Sequence, residues 1–393
     1  MQDNEKKPAL RFKGFTDPWE QRKLGEIAKE VVRNDPASDA PIMMITAGNG
    51  FIEQSDRYAF NNAGESLKKY ILLECGELAY NHGASKLRPY GSCFALTTVE
   101  KARIPFVYHC FSVEKSNPEF LSIELNGANV ENQLRKIVSS GARMDGLLNI
   151  AYSEYTEVTV QLPKKEEQDW IAKFFKHLDT LITLHQRKYE KLVNIKKSML
   201  DKMFPQNGAS VPEIRFKGFT DPWEQRKVRE VTDRYDNLRI PVAASLRVAG
   251  TTPYYGANGI QDYVEGYTHD GEFILVAEDG ANDLKNYPVK CVKGRIWVNN
   301  HAHVLQGKCA CADNQFLAYA ISQADIESLL VGGGRAKLNA ETLMDIELLL
   351  PSKDEQIQIG HYLARLDHLI TLHQRKLEKL QNIKKSCLEK MFV

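Results

Sequence analysis

His301 and His303, in the run "NNHAHV" at 299–304, come nearest in this chain to the ligand pair of a metal-dependent enzyme. On a strand, residues i and i+2 share a face, so the two imidazoles would point the same way. Two histidines are still too few for a catalytic zinc, which takes three protein ligands. Cys309 and Cys311 are separated by one residue, not by the two of a zinc knuckle. No glycine-rich loop ends in Gly-Lys-Ser/Thr to cradle a nucleotide phosphate. "NPEF" at 117–120 lacks the double proline and the aromatic of an amino-methyltransferase motif, and no glycine fingerprint for a methyl donor accompanies it. The expectation is a chain without catalytic residues, metal or cofactor. A two-histidine nuclease is the enzymatic alternative.

A second chemistry is far denser. Asn, Gln and Arg make paired hydrogen bonds with base edges in the major groove, while Lys and Arg neutralise phosphates. The first half of the chain offers Asn49 and Gln54 in "ITAGNGFIEQ", Asn61, Asn62, Lys68 and Lys69 in "AFNNAGESLKK", and Asn81, His82, Lys86 and Arg88 in "AYNHGASKLRPY". The second half offers Asn258 and Gln261 in "YYGANGIQDY", Asn282 and Lys285 in "EDGANDLKNY", and Asn300, His301 and His303 in "VNNHAHVLQ". "SSGAR" and "VGGGR" stand at matching places and add Arg143 and Arg335. Glycine lets such loops approach a duplex closely. A single Asn-Gly pair is most often only a turn. The density of these residues, not any one of them, marks them as candidates for contact with double-stranded DNA.

Those loops need a frame, and the chain writes its frame twice. "RFKGFTDPWEQRK" runs from Arg11 to Lys23 and recurs unchanged from Arg215 to Lys227. At an offset of 188, Pro163–Phe204 faces Pro351–Phe392 with 27 identities in 42 positions. Self-similarity of this kind means two copies of one structural unit. The 42-residue repeat carries a mostly apolar stripe at heptad spacing: Ile171, Leu178, His185, Leu192 and Met199, with Phe174, Leu181, Lys188 and Ile195 at the fourth position. Ile359, Leu366, His373, Leu380 and Cys387 repeat the stripe. Each copy is expected to be a helix of about 38 residues, roughly 57 Å long. Ser352 and Glu355 suggest a capping box at the start of the second. Two nearly identical stripes related by a pseudo-twofold must pair antiparallel, which brings His185 and His373 together as buried polar residues near the helix midpoints.

The regions between the repeats, 24–138 and 228–331, differ from each other. Both contain strand-like runs ("YILLECGELAY", "EFILVAEDG", "GRIWVNN") between Gly, Asn and Pro turns. The expected fold is mixed α/β (α+β): two unlike recognition domains, at 1–162 and 215–350, separated by two antiparallel coiled-coil spacer helices at 163–204 and 351–393. A linker, "PQNGASVPEI", spans 205–214.

Composition is that of an ordinary soluble protein: 393 residues, 43% hydrophobic, 26% charged, net charge +1. No apolar run spans a bilayer, and the start, "MQDNEKKPAL", has no signal-peptide core, so the expectation is a cytoplasmic protein without membrane contact. Seven scattered cysteines agree with a reducing compartment. Basic residues concentrate on the repeated helices, with six Lys or Arg against two acids in each of 185–203 and 373–391. A coiled-coil adaptor that never meets DNA is the other alternative.

"LRFKGFTDPWEQRKLGEI", "GELAYN", "YYGANGI", "NNHAHVL" and "LDHLITLHQRKLEKLQNIKKSCLEKMF" together resemble the specificity subunit of type I restriction-modification systems. The resemblance covers almost the whole chain and is strongest in the repeated helical segments. It implies two target recognition domains, each reading half of a bipartite asymmetric DNA site, with the helices setting the gap. It implies as partners two modification (methyltransferase) subunits and the restriction (endonuclease/translocase) subunits, with catalysis lying in those and not in this chain. Base-contacting residues vary among members of the family, so it transfers none.

Overall fold

The structure, a computed structural model, describes residues 7–57, 64–138, 147–206, 208–332 and 336–392. The chain forms two compact units, one made of Met1–Leu184 with Leu377–Val393 and the other of His185–Lys376. Both long helices, Lys165–Met203 and Lys353–Lys390, give one stretch to each unit. Among the described residues no helix is long and apolar enough to cross a membrane.

The duplicated thirteen residues dock in the same way in both units. In the first, Glu20–Lys23 pairs antiparallel with Thr159–Leu162, the strand that leads into the first long helix. In the second, Glu224–Lys227 pairs with Glu347–Leu350 ahead of the second long helix. Arg11 grips Glu167 through two hydrogen bonds of 2.8 and 2.6 Å, and Arg215 grips Glu355 at 2.7 and 2.8 Å. Glu355 is fully buried in this pair, so the expected capping box with Ser352 does not form. An arginine fork satisfies both oxygens of the carboxylate, which a single backbone N–H cannot.

The tryptophans close the same frame. Trp19 lies edge-on to Phe120 and Phe392, and Trp223 lies edge-on to Phe316 and Phe204. Two helices absent from the repeat reading supply Phe120 and Phe316: Pro118–Leu125 and Asn314–Ser322. Asn117 caps the first by accepting the Phe120 amide at 2.9 Å, and Asp313 caps the second by accepting the Phe316 amide at 2.8 Å. Each cap residue in turn donates its own amide to a glutamine near the start of the long helix, Gln168 at 2.8 Å and Gln356 at 3.0 Å. "NPEF" is therefore a helix cap and part of the frame.

Within each unit the long-helix segments run antiparallel. In the first unit Lys384 meets Asp179 at 2.5 Å, and Cys387 and Met391 join Ile171, Phe175 and Leu178 in the core. In the second, Lys196 meets Asp367 at 2.6 Å, and Met203 and Phe204 join Ile359, Leu363 and Leu366. His185 and His373 touch at 2.8 Å between their Nδ1 atoms, half-buried and not fully buried as the heptad pattern predicts. Lys188, assigned to the inner stripe, is exposed, and Tyr189 is the half-buried residue of that turn. A lysine ammonium cannot be desolvated in a narrow helix pair without a partner. The segment 205–214 does not hang free: the Ile214 amide bonds the Lys202 carbonyl at 2.8 Å and the Trp223 amide bonds the Ser210 carbonyl at 2.8 Å.

The inserts carried by the frames differ in topology. The first unit has a four-stranded antiparallel sheet in the order Ala28–Glu30, His109–Val113, Leu78–Asn81, Ser92–Ala95, with two separate strand pairs, Met43–Thr46 with Gly50–Glu53 and Ile71–Glu74 with Lys101–Ile104. The second has a six-stranded sheet in the order Thr232–Arg234, Ala302–Gly307, His269–Ala277, Val289–Val298, Ala249–Gly256, Gly259–Val264. One neighbour pair there is parallel, with Tyr254 opposite Trp297. The fold is mixed α/β, as the strand-like runs between the repeated helices predict.

Candidate nucleic-acid interface

In the first unit two loops converge. One is the turn of the hairpin Met43–Thr46/Gly50–Glu53, which exposes Asn49. The other follows strand Leu78–Asn81 and is built by its own hydrogen bonds. The Ser85 amide donates to the Arg88 carbonyl at 3.0 Å, the Arg88 amide to the Ser85 hydroxyl at 3.0 Å, and the Gly91 amide to the Arg88 carbonyl at 3.3 Å. The Arg88 guanidinium turns inward and donates to the Asn126 carbonyl at 2.6 Å, and burial holds its pKa below the ordinary arginine value. Gly91 closes the loop at φ +82°, where a Cβ would come within 2.6 Å of the Asn81 carbonyl oxygen. Lys86 and Leu87 are left at the corners of the turn, both exposed. Gly48, next to Asn49, adjoins Leu87: a Cβ there would lie in ordinary van der Waals contact with its Cδ2, at 3.7 Å.

The loop's neighbours are used for construction. Asn81 donates to the Ile45 carbonyl at 3.1 Å, tying the two loops together, and accepts the Gly83 amide at 2.9 Å. His82 is buried with its ring nitrogens on the carbonyls of Leu148 and Val107 at 2.8 and 2.7 Å. Gln54 is half-buried, its Oε1 without a hydrogen-bond partner. Lys68 is exposed and pairs with Glu65 at 2.7 Å, and Lys69 reaches over the Phe106 ring at 6.0 Å. Of the sequence candidates here, Asn49 and Lys86 are exposed, each on one of the two loops, while Asn81, His82 and Arg88 hold the loops in place. Asn61, Asn62, Arg143 and Arg335 lie outside the described residues.

In the second unit the candidates form one linked group of turns. Asn258, between the strands Ala249–Gly256 and Gly259–Val264, donates to the Gly280 carbonyl and accepts the Asn282 amide, both at 2.9 Å. Gln261 accepts from Asn299 at 3.4 Å, and Asn299 accepts the His301 amide at 2.8 Å. His301 Nδ1 meets Asp279 at 2.5 Å. Asn300 and Lys285 are exposed on the turns around them. A loop assembled this way presents its outward donors and acceptors at fixed positions, which base readout requires.

His303 goes elsewhere. It is buried, with Nδ1 on Asp236 at 2.7 Å and Nε2 on the Leu338 carbonyl at 2.9 Å. Burial alone would raise the Asp236 pKa, but the His303 bond and the Val304 amide win and hold it below the usual carboxylate range. The two histidines, His301 on the turn and His303 on the strand that follows it, are thus each taken by a different aspartate, and among the described residues no three His, Cys, Asp or Glu side chains group as a metal site. Glu278, beside this pair, is gripped by Arg239 at 2.6 Å and Lys337 at 2.9 Å and braces the same loops from below. Sequence reasoning missed Leu87, Asn117, Asp313 and Gln168. The shared spelling "Phe-Leu" three residues after an Asn or Asp was the available signal for the caps, at an offset that neither repeat shares.

Residues 220–382 match the family model described as "Type I restriction modification DNA specificity domain". A Haemophilus influenzae protein named as a type I restriction enzyme specificity subunit is 44% identical over 146 residues, 37% of this chain and 38% of that protein. A type I restriction enzyme specificity subunit of Methanocaldococcus jannaschii is 22% identical over 276 residues, 64% of this chain and 65% of its own length. The match thus spans less than two thirds of either relative. A solved S subunit of a type I restriction-modification system from M. genitalium has the same fold, with a TM-score of 0.68 over 99% of both chains at 14% identity.

Proposed function

We propose, from the premise that this chain carries the type I restriction-modification DNA specificity domain at residues 220–382, that it reads a bipartite, asymmetric DNA site with one unit per half-site. The observation that carries the reading is a frame whose strand pair, arginine–glutamate fork and glutamine-braced helix cap recur around two unlike sets of loops. A frame with this internal symmetry holds two readers to one duplex, and unlike loops read unlike sequences. In this proposal residues 1–162 and 215–350 are the recognition domains, and the helices of 163–204 and 351–393 are the coiled-coil spacer between them. Two modification subunits and the restriction subunits supply catalysis, and the chain itself contributes none. Its place of action is the cytoplasm, where the DNA is.

The test is methylation mapping. Co-purified with its modification subunit, the chain should direct methyl transfer to one interrupted, asymmetric sequence, and alone at high purity it should transfer no methyl group and cut no DNA. Methyl transfer or cleavage by the chain alone would overturn the assignment. A complex that shifts no DNA in a gel would instead favour the adaptor.

A further inference from the structure

Leu87 is 65% exposed at the corner of a turn that its own hydrogen bonds hold rigid. Isolated exposed leucines are ordinary on protein surfaces. This one differs in its setting. Lys86 precedes it, Asn49 lies across the adjoining turn, and the whole stretch 78–99 contains Lys86 and Arg88 and no Asp or Glu. The next side chain, Arg88, is not spent on solvent or on a phosphate. It is half-buried and bonded to the Asn126 carbonyl, so it anchors the turn that carries Leu87. A flexible exposed leucine would lose rotamer and backbone freedom on binding, and a leucine on a pinned turn has already lost most of it.

We propose that Leu87 is a wedge that enters the base stack of the duplex read by the first unit, while Lys86 sits on the adjoining phosphate. The inference rests on the DNA-reading assignment above and deepens it. Aliphatic side chains inserted at a base step unstack it and kink the duplex, and the cost is offset by apolar burial and by the contacts that the bend allows. The absence of acidic residues along 78–99 lets this loop approach a polyanion closely without repulsion. Asn49 is then positioned to meet a base edge beside the opened step. Half-site recognition by this unit thus includes a preference for a deformable step, such as pyrimidine–purine, at a position no hydrogen bond reads.

The experiment uses the full chain with its modification subunit and duplexes of the mapped site in which 2-aminopurine replaces one base at a time. The expected result is a fluorescence rise at one step of one half-site, abolished by Leu87→Ala and kept by Leu87→Met, with roughly tenfold weaker binding for Leu87→Ala. Lys86→Ala should keep the fluorescence rise and lower the salt slope of binding by about one. Because the side chain is exposed, Leu87→Ala should melt with the parent, which separates lost binding from lost folding. Sequence-specific methylation with no fluorescence change at any step, or with Leu87→Ala indistinguishable from parent, would overturn the wedge and leave the DNA-reading assignment standing. Loss of modification-subunit assembly in Leu87→Ala would overturn it in favour of a protein contact. Absence of specific methylation by the parent complex would remove the assignment and the wedge together.

Discussion

The helices Pro118–Leu125 and Asn314–Ser322 begin alike and end differently. Each is capped by a residue that also bonds a long-helix glutamine, and each places a phenylalanine beside a tryptophan of the duplicated segment. Four positions after that phenylalanine the first has Glu124 and the second Ala320. Glu124 is buried and accepts the Gln161 amide at 2.9 Å, and burial pushes its pKa up to about 7. The lesson is where identity stops. The arginine–glutamate fork, the cap and its glutamine brace are shared, while the helix-to-strand bond between Glu124 and Gln161 has no counterpart at Ala320, so even the frame has diverged where a strand amide can be satisfied without a side-chain carboxylate.

The comparison is broken most completely by removing one half. The first unit's core includes Cys387, Met391 and Phe392, which correspond at the 188-residue offset to Met199, Met203 and Phe204. A chain of residues 1–204 should therefore dimerise, each copy lending its helix end to the other's core, and with the modification subunit it should methylate an interrupted inverted repeat. Methylation mapping and sedimentation decide this, and retention of the parent's asymmetric site is incompatible with it.

The next effect in size tests whether the two frames are equivalent. Arg11→Ala and Arg215→Ala each strand a buried glutamate, Glu167 or Glu355, and each should cost about 3–5 kcal/mol in urea unfolding. Equal losses support a shared frame, and a loss in one unit alone would show that the other has a different keystone.

Glu124→Gln sharpens the difference between the units. With a folded-state pKa raised to about 7, Glu124 favours the fold while protonated, and its contribution is lost as pH rises from about 4.5 through 7. The variant should leave stability unchanged at pH 4.5 and raise it by about 2 kcal/mol at pH 8. Ala320→Gln in the other unit has no carboxylate to remove and should show no such pH dependence.

The smallest effect concerns the histidine pair. Burial, His185, Lys188 and Lys376 hold His373 below the ordinary imidazole value, so its contribution is present above about pH 6.5 and is lost as pH falls through the lowered value. The Nδ1 contact needs one donor and one acceptor, and protonation of both rings removes the acceptor. The double variant His185→Leu and His373→Leu should raise Tm by about 2 °C at pH 7 and flatten its decline toward pH 5. A parent whose Tm is level from pH 7 to pH 5 would show that the pair carries no such linkage.

The duplicated frame was legible from the letters alone because identity and heptad spacing are local properties of a chain. The pairing of His185 with His373 followed from symmetry: two copies of one stripe packed antiparallel can meet only at equivalent residues near their midpoints. The sequence could not say which polar residues of the loops face outward. Asn49 and Asn81 have the same side chain within two residues of a glycine, yet one is exposed and the other bonds Ile45 and Gly83. His301 and His303 alternate on one run and were assigned to one face, yet they belong to different aspartates. Glu355 offered a capping box in the letters and became the partner of Arg215, 140 positions away. In each case the outcome depends on which distant backbone or charge arrives within about 3 Å, a distance at which a hydrogen bond is made or missed. Local spelling sets what a residue is able to donate or accept, and the tertiary structure alone decides what it meets.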